Sequence, residues 1–304
     1  MSPERSLEPV AIADASSELR AEFVPGAGML CSRLAWGAVN LIAENEGVAE
    51  YAARGKTMGI PLLYPWANRL ADREYTIGAL TARLPDDQSV IAVDGNGLPI
   101  HGIVPALMRW AVIDAGASRV RARLAWDAAL GSAFDCFPFA HTVDYEAALA
   151  DRCLTIGVSV TAGDDRVPVS FGFHPYLAPG GPRERYAVSL PAMRHLELDA
   201  RSLPTGGGAA QDAAKFELGG RTFDDGYDGL APGARFEVAG ERRRVTLTFA
   251  EGYPCAQVYA PQGRDFICFE PMSTHTNALA LGAAPLLAAG ESWSAKFALA
   301  VDEV

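Results

Sequence analysis

Basic residues are in the minority along this 304-residue chain, which carries 26 Lys and Arg against 37 Asp and Glu, a formal net charge of -11. A chain so acidic lacks the cationic face that gathers phosphates, which argues against nucleic acid and anionic membrane surfaces as partners. Long hydrophobic runs are missing too. No apolar stretch approaches the ~18 residues of a membrane-crossing helix. Met1, Ser2, Pro3, Glu4 and Arg5 lead into no apolar segment of the kind a secretory leader carries. Cysteine is sparse and odd in number: Cys31, Cys136, Cys153, Cys255 and Cys268, the nearest two 13 positions apart. That spacing excludes a CxxC metal site and gives no disulfide framework. Reduced, mostly buried thiols and a cytoplasmic location are expected. Several catalytic signatures are absent as well. There is no GxSxG elbow, no GxxxxGK[ST] loop, no strand-linked GxGxxG, and no HExxH or close His pair for zinc.

What the chain does contain is alternation. Val120, Ala122, Leu124 and Trp126 interleave with Arg121, Arg123 and Ala125, and Leu154, Ile156, Val158 and Val160 with Thr155, Gly157, Ser159 and Thr161. Val245, Leu247 and Phe249 repeat the pattern, as do Trp293, Ala295, Phe297, Leu299 and Val301. Period-2 runs of this kind predict half-buried strands. Thirty glycines and twenty prolines punctuate them, and helix-period stretches with caps are hard to find. The expectation is an all-β protein of stacked antiparallel sheets, with a composition, 49% hydrophobic and 21% charged, suited to a real core. The length rule suggests two domains, but large all-β units run past it. With no fixed-period repeat and no composition boundary, residues 1–304 read as a single domain. The run from Pro204 through Gly206, Gly207 and Gly208 to Ala214 reads as a long mobile loop.

Five stretches carry chemistry. Tyr64, Pro65, Trp66, Ala67, Asn68 and Arg69 set an amide and a guanidinium fork beside an apolar wall. Gly95, Asn96 and Gly97 form loop chemistry leading to His101–Gly102. Phe171, Gly172, Phe173, His174, Pro175 and Tyr176 place one imidazole among aromatics. Pro175 biases His174 to an extended backbone, and the aromatics would shield a group whose pKa starts nearest 7. Asp224, Asp225, Gly226, Tyr227 and Asp228 read as an acidic turn, without the alternating ligands and distal Glu of an EF-hand. Glu270 follows Phe266, Ile267, Cys268 and Phe269, with Pro271 expected to end the strand at a rim. A carboxylate there is either paired or held as a base. Taken singly, the Asn–Arg pair, the loop His and the acidic turn fit ordinary structural roles equally well or better.

Together, and in this order, Asn68–Arg69, His101–Gly102, His174–Pro175–Tyr176, Asp224 before Tyr227 and Glu270–Pro271 resemble the aldose 1-epimerase (mutarotase) family. The resemblance implies a galactose mutarotase-like β-supersandwich of large antiparallel sheets with an open cleft. It implies His174 as general acid, Glu270 as general base, and Asn68, Arg69, His101 and Asp224 as holders of sugar oxygens. Asp225 or Asp228 stands close enough to take the place of Asp224. The implied partner is a small-molecule sugar and the implied cofactor is none. The activity would be interconversion of the α and β anomers of a free aldose. A hexose-6-phosphate substrate, a carbohydrate-binding protein without turnover, and a glycoside hydrolase or lyase using Asp224 and Glu270 stay open as alternatives. Arg73, Arg183 and Arg185 are the residues that would favour a phosphate, and a solvated charged turn is the expectation for the last two. The sequence leaves the oligomeric state open.

Overall fold

The computed structural model describes residues 6–304; Met1–Arg5, the segment expected to lead into no apolar leader, lies outside the described residues. Two large antiparallel sheets stack face to face. The first has nine strands in the order Trp110–Ala115, Arg119–Trp126, His141–Ala150, Cys153–Ala162, Ser292–Glu303, Arg243–Glu251, Arg235–Ala239, Ala187–Leu190, Ala214–Glu217. The second has eight and runs from the edge strand Pro204–Gln211 through Met193–Leu198, Phe223–Asp228, Cys255–Ala260 and Ile267–Met272 to the short pieces Gly172–Phe173 and Leu62–Leu63. Tyr176–Leu177 also pairs on Ile267–Met272. A four-stranded sheet formed by Val10–Ala13, Leu19–Val24, Leu30–Trp36 and Val39–Asn40 is a separate ladder that packs against the first sheet, with Phe23 on Tyr145. Among the described residues the α-helices are two short ones, Val48–Arg54 and Ser132–Cys136, and no helix is long and apolar enough to cross a membrane.

The alternation explains the stacking. In Arg119–Trp126 the even positions Val120, Ala122, Leu124 and Trp126 are wholly buried. The odd positions face out, where Arg123 pairs across strands with Asp144 and Arg121 with Glu146. Side chains on opposite sides of a pleated strand must part in this way. The second sheet sends Phe173 and Phe269 inward. Phe173 meets Phe297 of the first sheet at 4.9 Å between ring centroids, and Phe269 meets Phe236 at 5.3 Å. One continuous cluster of buried side chains spans both sheets. All five cysteines are free, four of them buried. The other face of the second sheet carries Asp224, Gln257, Tyr259, Glu270 and Tyr176, in register across neighbouring strands.

Three local expectations are corrected. Pro204–Gln211 is a strand, not a loop: it pairs antiparallel with Met193–Leu198 at the sheet edge. Proline is tolerated as the first residue of an edge strand, and backbone pairing needs no apolar side chains. Asp224–Asp228 is likewise strand, between Met193–Leu198 and Cys255–Ala260, and not a turn. Third, Pro271 does not end its strand. Ile267–Met272 continues through it, with Ala256 opposite Pro271 and Cys255 opposite Met272. On the other side the pairing jumps from Cys268–Tyr176 to Met272–Gly172. A residue lacking an N–H sits in a sheet at least cost where the ladder is interrupted. The chain makes that interruption at His174–Pro175.

Candidate active site

The interruption is what exposes chemistry. With His174 standing out of the ladder and Glu270 beside the gap, His174 Nε2 and Glu270 Oε1 lie 3.1 Å apart. His174 is 5% exposed and Glu270 1%. The Tyr176 ring lies flat against the imidazole, centroids 4.4 Å apart and planes 9° from parallel. The edges of His101 and Tyr259 close two further sides at 5.6 Å.

His101 is brought in by a loop built on unusual backbone. Asn68, His101 and Gly102 all have positive φ, at 55°, 63° and 79°. Asparagine tolerates that region better than most side chains do. The Asn68 carbonyl accepts the His101 N–H at 3.0 Å, and the Tyr64 carbonyl accepts that of Ile103 at 2.9 Å. Gly102 crosses Tyr64 so closely that a Cβ there would lie 2.0 Å from the Tyr64 carbonyl oxygen. Only glycine permits both the φ and the contact. Asp94 ties the same loop to the arginine. Its Oδ1 accepts the N–H groups of Asn96 and Leu98, at 2.8 and 2.9 Å, and its Oδ2 accepts Arg69 Nε at 2.7 Å. Arg69 Nη2 then reaches Asp224 Oδ2 at 3.3 Å, and Gln257 Nε2 donates to Asp224 Oδ1 at 2.8 Å.

Burial sets the protonation. Desolvation, aided by the charge of Asp224 and partly offset by Arg69, pushes the Glu270 carboxyl well above the ordinary carboxylate range. Burial likewise pushes the His174 imidazole down. His101 is lowered by burial first, then by His174 and Arg69. Burial alone would raise Asp94, but the donors from Arg69, Leu98 and Asn96 outweigh it and hold the carboxyl down. Among the described residues His174 Nδ1, Glu270 Oε2 and His101 Nδ1 are buried without a hydrogen-bond partner. Buried polar atoms are seldom left so.

The structure therefore gathers His174, Glu270, His101, Arg69 and Asp224 on one face. Asn68 is 5% exposed and joins through its backbone carbonyl. Of the neighbouring acids, Asp225 points to the opposite side of its strand, to His195 at 3.0 Å, and Asp228 pairs with Arg194 at 2.9 Å. Asp224 is the one held by Arg69. The arginines considered for a phosphate are engaged elsewhere. Arg183 is 2% exposed, its guanidinium donating to the carbonyls of Gly219 and Arg221, which corrects the expectation of a solvated turn. Arg185 pairs with Glu241, and Arg73 with Asp86 and the Pro85 carbonyl. Two supporting residues escaped the sequence reading. Asp94 immediately precedes Gly95–Asn96–Gly97, and Asp before such a turn is the signal that could have found it. Gln257 carries no signal beyond its place in a strand.

A family model described as aldose 1-epimerase matches residues 27–300. No curated protein matches the chain. Among solved structures, the Slr1438 protein from Synechocystis sp. PCC 6803 is 23% identical, with 100% of this chain and 98% of that chain covered and a TM-score of 0.78. The GalM/aldose epimerase homologue from C. elegans is 15% identical over 98% of this chain and 100% of that one, with a TM-score of 0.79. Galactose 1-epimerase from Lactobacillus acidophilus NCFM is 15% identical over 98% and 99%, at 0.74. At such identities the likeness establishes the galactose mutarotase-like fold.

Proposed function

Because this chain belongs to the aldose 1-epimerase family, we propose that it is an aldose 1-epimerase, interconverting the α and β anomers of a free aldose. The observation that carries this reading is the buried pair His174–Glu270 at 3.1 Å, in which Glu270 Oε2 and His174 Nδ1 have no partner among the described residues. A cyclic aldose opens when the C1 hydroxyl loses its proton and the ring oxygen gains one. The electron pair of the O–H bond forms the C1 carbonyl as the C1–O5 bond breaks. Both oxygens sit on one carbon, so the base and the acid must face a single point, as these two side chains do.

Glu270 takes the hydroxyl proton and His174 gives one to O5. Rotation about C1–C2 presents the other carbonyl face, and the same two transfers in reverse close the ring and restore both groups. Each is worth about 10²–10⁴ in rate. Arg69, His101 and Asp224 hold the remaining sugar oxygens, with Asn68 setting the His101 loop. Asp94 and Gln257 fix the directions of Arg69 and Asp224. No metal or organic cofactor enters these steps. The engagement of Arg73, Arg183 and Arg185 elsewhere supports a neutral sugar over a phosphate.

The test is anomer exchange measured by NMR on galactose, glucose and glucose 6-phosphate at matched concentration and low salt. Faster exchange of the neutral sugars is expected. A clear preference for the phosphate would move the protein to hexose phosphates, and new reducing ends from an oligosaccharide would make it a hydrolase.

A further inference from the structure

Ring opening asks His174 to carry a proton that its surroundings discourage. Burial lowers the imidazole from 6.5 to about 3, yet the ring must be an imidazolium when it donates to O5. Glu270 Oε1 answers the charge at Nε2, 3.1 Å away. At the other nitrogen the common device is missing. A working imidazole is often held by a carboxylate or carbonyl on its second nitrogen, but among the described residues His174 Nδ1 has no hydrogen-bond partner, and the one backbone group that favours its charged form is its own. What lies against the imidazole instead is the face of a ring. Tyr176 stacks on it with planes 9° from parallel, whereas Tyr259 and His101 meet it at 74° and 83°. Tyr176 is itself fixed by a short neighbouring segment, residues 57–61, that runs beside residues 174–176. The Pro61 carbonyl accepts the His174 N–H at 3.2 Å, and the Gly59 carbonyl accepts that of Tyr176 at 2.8 Å. Thr57 Oγ1 and the Tyr176 hydroxyl share a bond of 2.6 Å. The Phe266 ring closes on Tyr176 at 4.9 Å between centroids.

We propose that Tyr176, anchored by Thr57, is the positioning residue of the general acid: its ring face holds the plane of the His174 imidazole and stabilises the imidazolium. The inference rests on the mutarotase reading of His174 and Glu270. An aromatic face is the negative side of the ring quadrupole, and a cation over it is attracted more strongly where water is excluded. A neutral imidazole gains less from the same contact, so the stack favours the form that donates the proton. A face contact also leaves the imidazole nitrogens, which point out in the ring plane, open to proton transfer. Thr57 holds the phenol oxygen and so keeps the tyrosine from sliding across its partner.

The test is anomer exchange of galactose by NMR, with kcat and KM separated, in Tyr176→Phe, in proteins carrying mono-, di- and trifluorophenylalanine at the same position, and in Thr57→Val. Fluorine draws electron density from the ring face while nearly keeping its shape. Along the fluorinated series kcat is expected to fall stepwise, to about tenfold below Tyr176→Phe at the third fluorine. KM should stay in place, because the ring acts through His174. Thr57→Val and Tyr176→Phe should each lower kcat by about threefold, and the double variant no further than either, since both break the same bond. A flat fluorine series with normal wild-type exchange, or losses that appear in KM, would overturn the proposal and leave the mutarotase reading standing. Additive losses from Thr57→Val and Tyr176→Phe would overturn the anchor. If the wild-type protein exchanges no sugar, both readings fall.

Discussion

The imidazole of His174 and the carboxyl of Glu270 are one titrating unit. At 3.1 Å they are close enough to exchange a proton, and burial, which raises Glu270 and lowers His174, disfavours both charged forms, so the carboxylate–imidazolium arrangement that ring opening uses is the costlier placement of their one proton. Activity requires the pair to hold a single proton. A second is added only below the ordinary histidine value of 6.5, and the first is lost only well above the ordinary carboxylate value of 4.5. The expected pH–rate profile therefore has its acid limb below the ordinary histidine value and its alkaline limb above the ordinary carboxylate value, and an acid limb centred at the ordinary histidine value would contradict this. Burial also makes Glu270 costly to the fold. A carboxyl whose pKa is raised in the folded state loses stability as pH climbs through and beyond its unfolded value. Glu270→Gln should thus raise the unfolding midpoint at neutral pH; a lowered midpoint would show that the carboxylate is held by stabilising bonds. His174, Glu270, His101, Arg69 and Asp224 were legible because each belongs to a short motif in a fixed order. Asp94 was missed although it precedes Gly95–Asn96–Gly97, because the partner that matters, Arg69, lies 25 positions away, and Gln257 was missed because nothing local marks it.

At the scale of elements, the decisive pieces are short: the two-residue strands Gly172–Phe173 and Tyr176–Leu177, and the crossing of Tyr64 by His101–Gly102. Gly102→Ala is expected to displace His101, because its Cβ would overlap the Tyr64 carbonyl and its φ of 79° is strained for any other residue. The substitution should cost at least about 1–3 kcal/mol in stability and most of the activity. A variant of normal stability and rate would mean that the crossing does not position the site. Long alternating strands such as Arg119–Trp126 were legible because one face is buried and the other is charged. Phe223–Asp228 and Pro204–Gln211 were hidden for the opposite reason. They lie in a part of the sheet exposed enough to accept Asp and Gly, and backbone pairing alone makes them strands. Pro271 misled in the same way, since the break that accommodates it is set by His174–Pro175 nearly a hundred positions earlier in the chain.

At the scale of the molecule, one buried cluster crosses both large sheets, and we propose that residues 6–304 unfold as one cooperative unit. Coincident fluorescence and circular-dichroism transitions, unmoved by reductant because all five thiols are free, are the expected result; two separated transitions would divide the chain. Acid should weaken the fold. His141, stacked on Trp126 and bonded to the Tyr64 hydroxyl and the Phe139 carbonyl, is pushed by burial from 6.5 down to about 4. Its contribution is complete above its unfolded value and lost as pH falls through the folded one, about 3 kcal/mol in all. Denaturant midpoints between those two pH values should fall accordingly, and His141→Phe should flatten the slope. The sheet architecture was legible in the period of the sequence, while the mutual approach of His174 and Glu270 became visible only through a family resemblance, since nothing local links residues so far apart. The most direct test of that approach is two-dimensional exchange NMR on galactose with the wild-type protein and with Glu270→Gln. Cross-peaks between the α and β anomers should build up rapidly with the wild type. With the variant they should slow by about 10²–10⁴ while galactose still binds. Undiminished exchange in Glu270→Gln, or none above the uncatalysed rate in the wild type, would contradict the assignment of this pair as the machinery of anomer interconversion.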